Sequence, residues 1–192
     1  MKAYSYVVEH DNGDAPNPYF DFCTLCRCKY RSQPTGRKNI VELADEGDWV
    51  IGTGGASDRS AGHGKLVYAM RVDEKVSRGE YFADSRFAKK KSVKGGTYEQ
   101  TRGDNVCPSN DFERHDQFAL ISEHFYYFGA SAILIPKKFE QFEKKGPGFR
   151  YVDLAEFGRF LEWLETKYKP GKQGELCYLE LSKETKGCKS SC

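Results

Sequence analysis

Gly47-Asp48-Trp49-Val50-Ile51-Gly52-Thr53-Gly54, followed a dozen residues later by Leu66-Val67-Tyr68-Ala69-Met70-Arg71-Val72, is the stretch that decides the fold. A Gly-Asp turn feeds one apolar run, a loop rich in glycine and serine intervenes, and a second apolar run returns. This predicts neighbouring strands over residues 48–53 and 65–72. Glycines at the end of the first strand let something approach the backbone where a side chain would block it. A base or nucleotide is the natural ligand for such a place, and a plain Gly-Asp turn is the alternative.

Working outward, residues 3–8 carry Tyr and Val in strand-like order, and Asp11-Asn12-Gly13-Asp14 closes them with turn chemistry. Asn17-Pro18 starts an irregular loop. Lys29 to Lys38 is basic and broken by Pro34 and Gly36, and reads as a long cationic loop before a short helical segment at Ile40 to Ala44. Downstream, Ser77 to Phe82 starts a short helix, residues 92–111 form a polar stretch, and Gln117 to Phe128 reads as one strong strand. The clearest helix runs from about Leu154 to Tyr168. There Leu154, Phe157, Leu161, Leu164 and Tyr168 form an apolar stripe, Asp153 with Glu156 makes a capping-box-like start, and Pro170-Gly171 a stop.

A chain of 192 residues holds one ordinary domain. Its expected organisation is a core over residues 1–135, a C-terminal helix within 150–170 and a mobile tail at 182–192. With 30% charged and 39% hydrophobic residues it reads as globular, and no apolar run approaches a membrane span. The N-terminus moves straight into strand-like residues without a signal core, so a cytoplasmic location is expected. The net charge of +2 supplies no strong overall field, so any nucleic-acid contact must come from a local patch. Lys89-Lys90-Lys91 with Lys94, and Lys137-Lys138 with Lys144-Lys145, are such clusters; a solvated face is the reading for each. Seven cysteines, an odd number, argue for reduced thiols.

Tyr4-Ser5-Tyr6-Val7-Val8, Ala15-Pro16-Asn17-Pro18-Tyr19, Cys23-Thr24-Leu25, Cys28-Lys29, Gly47 to Gly54 and Leu66 to Met70, in this order and spacing, resemble the family called nucleotide modification associated domain 2. The resemblance continues through Tyr81-Phe82, Arg86-Phe87, Gly103-Asp104-Asn105 and Leu120-Ile121-Ser122-Glu123. It implies a bacterial or bacteriophage protein associated with systems that modify bases in DNA. More distantly, the order of Gly-Asp turn, strand, loop and strand is similar to PUA-like barrels, including the EVE and ASCH groups. Those bind nucleic acids and modified bases or hydrolyse small nucleoside derivatives.

The candidate ligand-binding residues surround the central turn. Trp49 with Tyr4, Tyr6 and Tyr68 offers an aromatic wall on which a base stacks, and a Trp buried to fill the core is the alternative. Lys29, Arg31 and Arg37 are candidate phosphate contacts. Asn17, Thr24 and Thr53 supply polar side chains, and Gly52 to Gly55, with Gly54 among them, supply backbone N–H groups for an anion. Cys23, Cys26 and Cys28 include a CxxC pair, but no second pair or HxxxH accompanies it, so no metal and no other cofactor is expected. If the protein is an enzyme, Lys29, Thr24 and Cys28 are the candidate catalytic groups. His63 in the glycine loop and His115 beside Asp116 are the histidines best placed for proton transfer, and Asp104 and Glu123 are possible acids. Asp48 reads as a turn residue.

The expected architecture is therefore α+β: a PUA-like mixed or antiparallel β-barrel with the C-terminal helix packed on it. The expected function is binding of a nucleotide or modified base. The alternative is an enzyme that installs, removes or hydrolyses a modification on one. The expected partners are that nucleotide or base, free or in DNA, and proteins of a base-modification system; no membrane partner is expected.

Overall fold

The turn before Trp49 is built as its residue types dictate. Gly47 sits at φ +84°, a left-handed conformation that glycine adopts without steric cost. The Asp48 carboxylate is enclosed and accepts hydrogen bonds from the Lys2 and Asp45 backbone N–H groups at 2.6 and 3.1 Å. Asp48 is thus a turn residue.

The computed structural model describes residues 1–13, 15–26, 30–33, 36–94, 97–102, 105–106 and 117–177. In chain order the elements are β1 (Ala3–Val8), β2 (Cys23–Leu25), β3 (Tyr30–Gln33), β4 (Gly36–Asn39), α1 (Ile40–Leu43), β5 (Trp49–Gly54), β6 (Lys65–Arg71), β7 (Glu74–Ser77), α2 (Arg78–Ala83), β8 (Lys91–Lys94), β9 (Thr97–Arg102), β10 (Asn105–Val106), β11 (Phe118–Ser122), β12 (Phe125–Tyr127), β13 (Ile133–Leu134), β14 (Phe149–Tyr151), α3 (Leu154–Lys167) and β15 (Gly171–Lys172). Short 3₁₀ turns at Ser85–Lys90, Gly129–Ser131 and Lys137–Phe142 complete the description.

A seven-stranded mixed sheet has the order β14-β1-β5-β6-β12-β15, with β13 also paired to β6. β1 and β5 run parallel, with Tyr6 opposite Gly52, while β5 and β6 are the expected neighbours and pair antiparallel. The α+β class and the mixed sheet match the sequence reading. Among the described strands the pairing path is open, running from β14 to β15, and both edge strands come from beyond residue 135.

A second sheet has the order β2-β11-β7. The chain passes between the sheets at two adjacent corners, from β6 to β7 and from β11 to β12. Asp73 pins them together: its N–H donates to the Ile121 carbonyl at 2.8 Å, and its Oδ2 accepts from the Glu123 and His124 N–H groups at 2.8 and 3.1 Å. For this reason residues 117–128, expected as one strand, are two strands in different sheets. Two further expectations are corrected. The stretch from Lys29 to Lys38 contains the β3–β4 hairpin, and the polar stretch 92–111 contains β8, β9 and β10, which form their own sheet.

Alternation along the strands sorts the core into layers. Tyr4, Tyr6, Val8, Val50, Tyr68 and Met70 pack between the two sheets with Cys23, Leu25 and Leu120. Ala3, Trp49, Ile51 and Ala69 face the other way, onto Phe139, Phe142 and α3. The outer face of the second sheet, with Ala119 and Ile121, is covered by Tyr81 and Phe87. In α3 the Asp153 carboxylate caps the Ala155 and Glu156 N–H groups at 3.0 and 3.1 Å. Its buried stripe is Phe157, Phe160 and Leu164, whereas Leu154 is 42% exposed. Among the described residues no helix is long and apolar enough to cross a membrane.

Candidate functional site

The aromatic wall expected around Trp49 is not assembled. Strand alternation puts the indole on the α3 face, 5.6 Å from the Phe157 ring centroid, and Tyr4, Tyr6 and Tyr68 on the opposite face. All four rings are buried, and the Tyr68 hydroxyl donates to that of Tyr6 at 2.9 Å. The glycines of β5 serve the same packing. The Tyr68 ring and Val8 occupy the space a Cβ on Gly52 would need, and the Gly62 carbonyl occupies that of Gly54. The close approach that these glycines permit is made by the chain itself. Thr53 is also buried; its Oγ1 donates to the Tyr6 carbonyl at 3.2 Å and accepts the Lys144 N–H at 3.3 Å.

Asn17 and Thr24 are brought together, by paired backbone hydrogen bonds of 2.9 and 3.0 Å and around Lys90, which corrects the reading of that lysine as part of a solvated face. Lys90 is 0% exposed, and its ammonium donates to the carbonyls of Phe22 and Asn17 at 2.6 and 2.8 Å and to Asn17 Oδ1 and Thr24 Oγ1 at 3.3 Å each. Burial lowers its pKa to about 7. The available signal was period three: in a 3₁₀ turn residues i and i+3 eclipse, so buried Phe87 carries Lys90 inward with it. Beside this cradle burial pushes the Cys23 thiol up to about 12, which keeps it in the unreactive thiol form. Among the described residues no group of three His, Cys, Asp or Glu side chains is placed to hold a metal ion.

Of the remaining candidates, Cys28, Lys29, Asp104, His115 and Asp116, together with the 182–192 tail, lie outside the described residues. For Arg31 and Arg37 the backbone register alone is described, opposite Lys38 and Ser32 respectively. Glu123 is exposed at the corner turn.

An open concavity lies elsewhere, where parallel β1 and β5 end. A cleft of about 720 Å³ is lined by Val7, Glu9, Gly55, Ala56 and Gly64 and by His63, Glu143, Lys145 and Gly146. Small-molecule sites have volumes of this order. Ser60 ties the glycine loop to both strands, its Oγ donating to the Val8 carbonyl at 2.5 Å and accepting the Gly55 N–H at 2.7 Å. The opposite wall is fixed by Ser5, whose Oγ donates to the Phe142 carbonyl at 2.6 Å, and by Thr53 through Lys144.

Glu143 is the organising side chain of this wall. Its Oε1 accepts the Gly64 N–H at 2.9 Å and lies 3.3 Å from His63 Nδ1, while Oε2 lies 3.7 Å from Lys145 Nζ. The Glu143 side chain is 11% exposed, whereas those of His63 and Lys145 are 54% and 75% exposed and free to meet a ligand. On the far side of the same ridge a second recess of about 500 Å³ is lined by Glu143, Lys144, Lys145, Pro147, Phe149 and Arg150. The Lys144 ammonium is held on the ridge by the carbonyls of Lys145, Gly146 and Pro147. Imidazole, carboxylate and ammonium beside glycine backbone can hydrogen-bond the edge of a planar heterocycle and balance an adjacent anion.

A family model described as nucleotide modification associated domain 2 matches residues 1–118 and 109–182 of the chain. No curated protein and no solved structure matches it.

Proposed function

Because the chain belongs to the nucleotide modification associated domain 2 family, we propose that it holds a nucleotide or modified base in the cleft at the ends of β1 and β5. The observation that carries this reading is the wall in which Glu143 braces both His63 and Lys145 beside a glycine-lined floor. In this reading His63 and Glu143 face the base edge and Lys145 the phosphate. Asn17, Thr24 and Lys90 are the scaffold behind it, because an ammonium enclosed by oxygen acceptors holds the loop before β2 against the second sheet.

Calorimetric titration with deoxynucleoside monophosphates carrying unmodified and modified bases tests the proposal. Binding is expected, and it is weakened by His63→Ala and by Lys145→Ala. Absence of heat with every nucleotide, or affinity indifferent to both substitutions, removes it. Mass spectrometry of small molecules carried through purification identifies the base directly.

A further inference from the structure

The two recesses that flank the Glu143–Lys145 ridge differ in charge. The cleft presents the carboxylates of Glu9 and Glu143 with Lys145 and His63, a balance that disfavours a phosphate in its depth. The second recess presents Lys144, Lys145 and Arg150 against Glu143 alone, a net positive surface beside the apolar Pro147 ring. Lys145 lines both.

Resting on the nucleotide reading of the cleft, we propose that the ligand is a single-stranded nucleic acid whose backbone crosses this ridge. One base enters the cleft, its phosphate meets Lys145, and the next phosphate and nucleotide lie in the recess against Lys144 and Arg150. A free nucleotide would leave the second, more cationic recess unused. A base that enters the cleft has left any helical stack, so a single strand is favoured over a duplex, which must first give up the unpairing energy. The carbonyls of Lys145, Gly146 and Pro147 take the three N–H donors of the Lys144 ammonium, so it contributes to the positively charged track through its charge, while Lys145 and Arg150 supply the donors.

The test compares a deoxynucleoside monophosphate, the corresponding dinucleotide, a six-nucleotide single strand and its duplex by calorimetry and fluorescence anisotropy at several salt concentrations. The single strand is expected to bind about 10-fold or more tightly than the monophosphate, with a salt dependence the monophosphate lacks. Arg150→Ala should abolish much of that gain, leave monophosphate affinity unchanged, and lower the salt slope by about 0.7. Equal affinity for monophosphate and strand, tighter binding of the duplex, or an equal effect of Arg150→Ala on both ligands overturns the proposal while leaving the cleft as a nucleotide site. Failure of every ligand, monophosphate included, overturns both.

Discussion

Replacing Lys90 changes how stability depends on pH, and the size of the change follows from its surroundings. The ammonium is fully enclosed and faces neutral oxygens of Asn17, Phe22 and Thr24, with the thiols of Cys23 and Cys26 as its nearest titratable neighbours. Burial lowers its pKa from an ordinary 10.5 to about 7. Between these values the unfolded chain holds a proton that the folded chain has released, so stability rises with pH across the window. Below about 7 both states are charged and the full cost of burial applies, on the order of 5 kcal/mol. From pH 7 to pH 9 the recovered stability is about 2 kcal/mol. Urea denaturation of the wild type and of Lys90→Met at a series of pH values isolates this contribution, since every other titrating group is common to both. The variant leaves carbonyls without a donor, at about 1–3 kcal/mol each, so Lys90→Gln, which keeps a donor and does not titrate, serves as a second variant. The stability difference between wild type and either variant should shift by about 2 kcal/mol across that interval. A difference that stays constant with pH refutes the reasoning and means that the oxygen cradle keeps the ammonium charged.

Three further outcomes follow from the packing. Trp49→Ala should cost about 3–5 kcal/mol of stability with nucleotide affinity of the folded protein unchanged, measured by denaturation and calorimetry; lost affinity at intact stability would return the indole to the binding site. Gly52→Ala places a methyl group against the Tyr68 ring and Val8 and should lower stability by about 1–3 kcal/mol; an unchanged Tm refutes the close contact. Tyr127→Phe removes the hydroxyl that donates to both oxygens of buried Asp11 at 2.8 Å, at a cost of about 1–3 kcal/mol. Burial already raises the Asp11 pKa and Tyr127 opposes that shift, so the variant should raise it further. A carboxyl raised in the folded state loses stability as pH rises through its folded value, so the loss should be larger at pH 7 than at pH 4; a pH-independent loss contradicts this.

The central strand pair, the α3 helix and the family were legible because each rests on local order: apolar runs, a capping aspartate, a run of motifs in sequence. The layers were less so. Trp49 and Tyr6 look like neighbours around one turn, but which face each takes depends on the parallel pairing of β1 with β5, and those strands are separated by 40 residues. Residues 117–128 read as one strand because the bend at Glu123 is imposed by the Asp73 carboxylate from another part of the chain. Glu143 carried no motif at all. It joins His63 across 80 positions of sequence, through a wall held by Ser5 and Thr53, and no periodicity reports such a contact.

The Asp73 corner has a mechanical consequence. A single two-stranded ribbon serves both sheets, with β6 and β12 paired in one and β7 and β11 paired in the other, so the sheets meet here through continuous backbone on both strands. Loosening either sheet at this corner therefore strains the same Asp73 carboxylate.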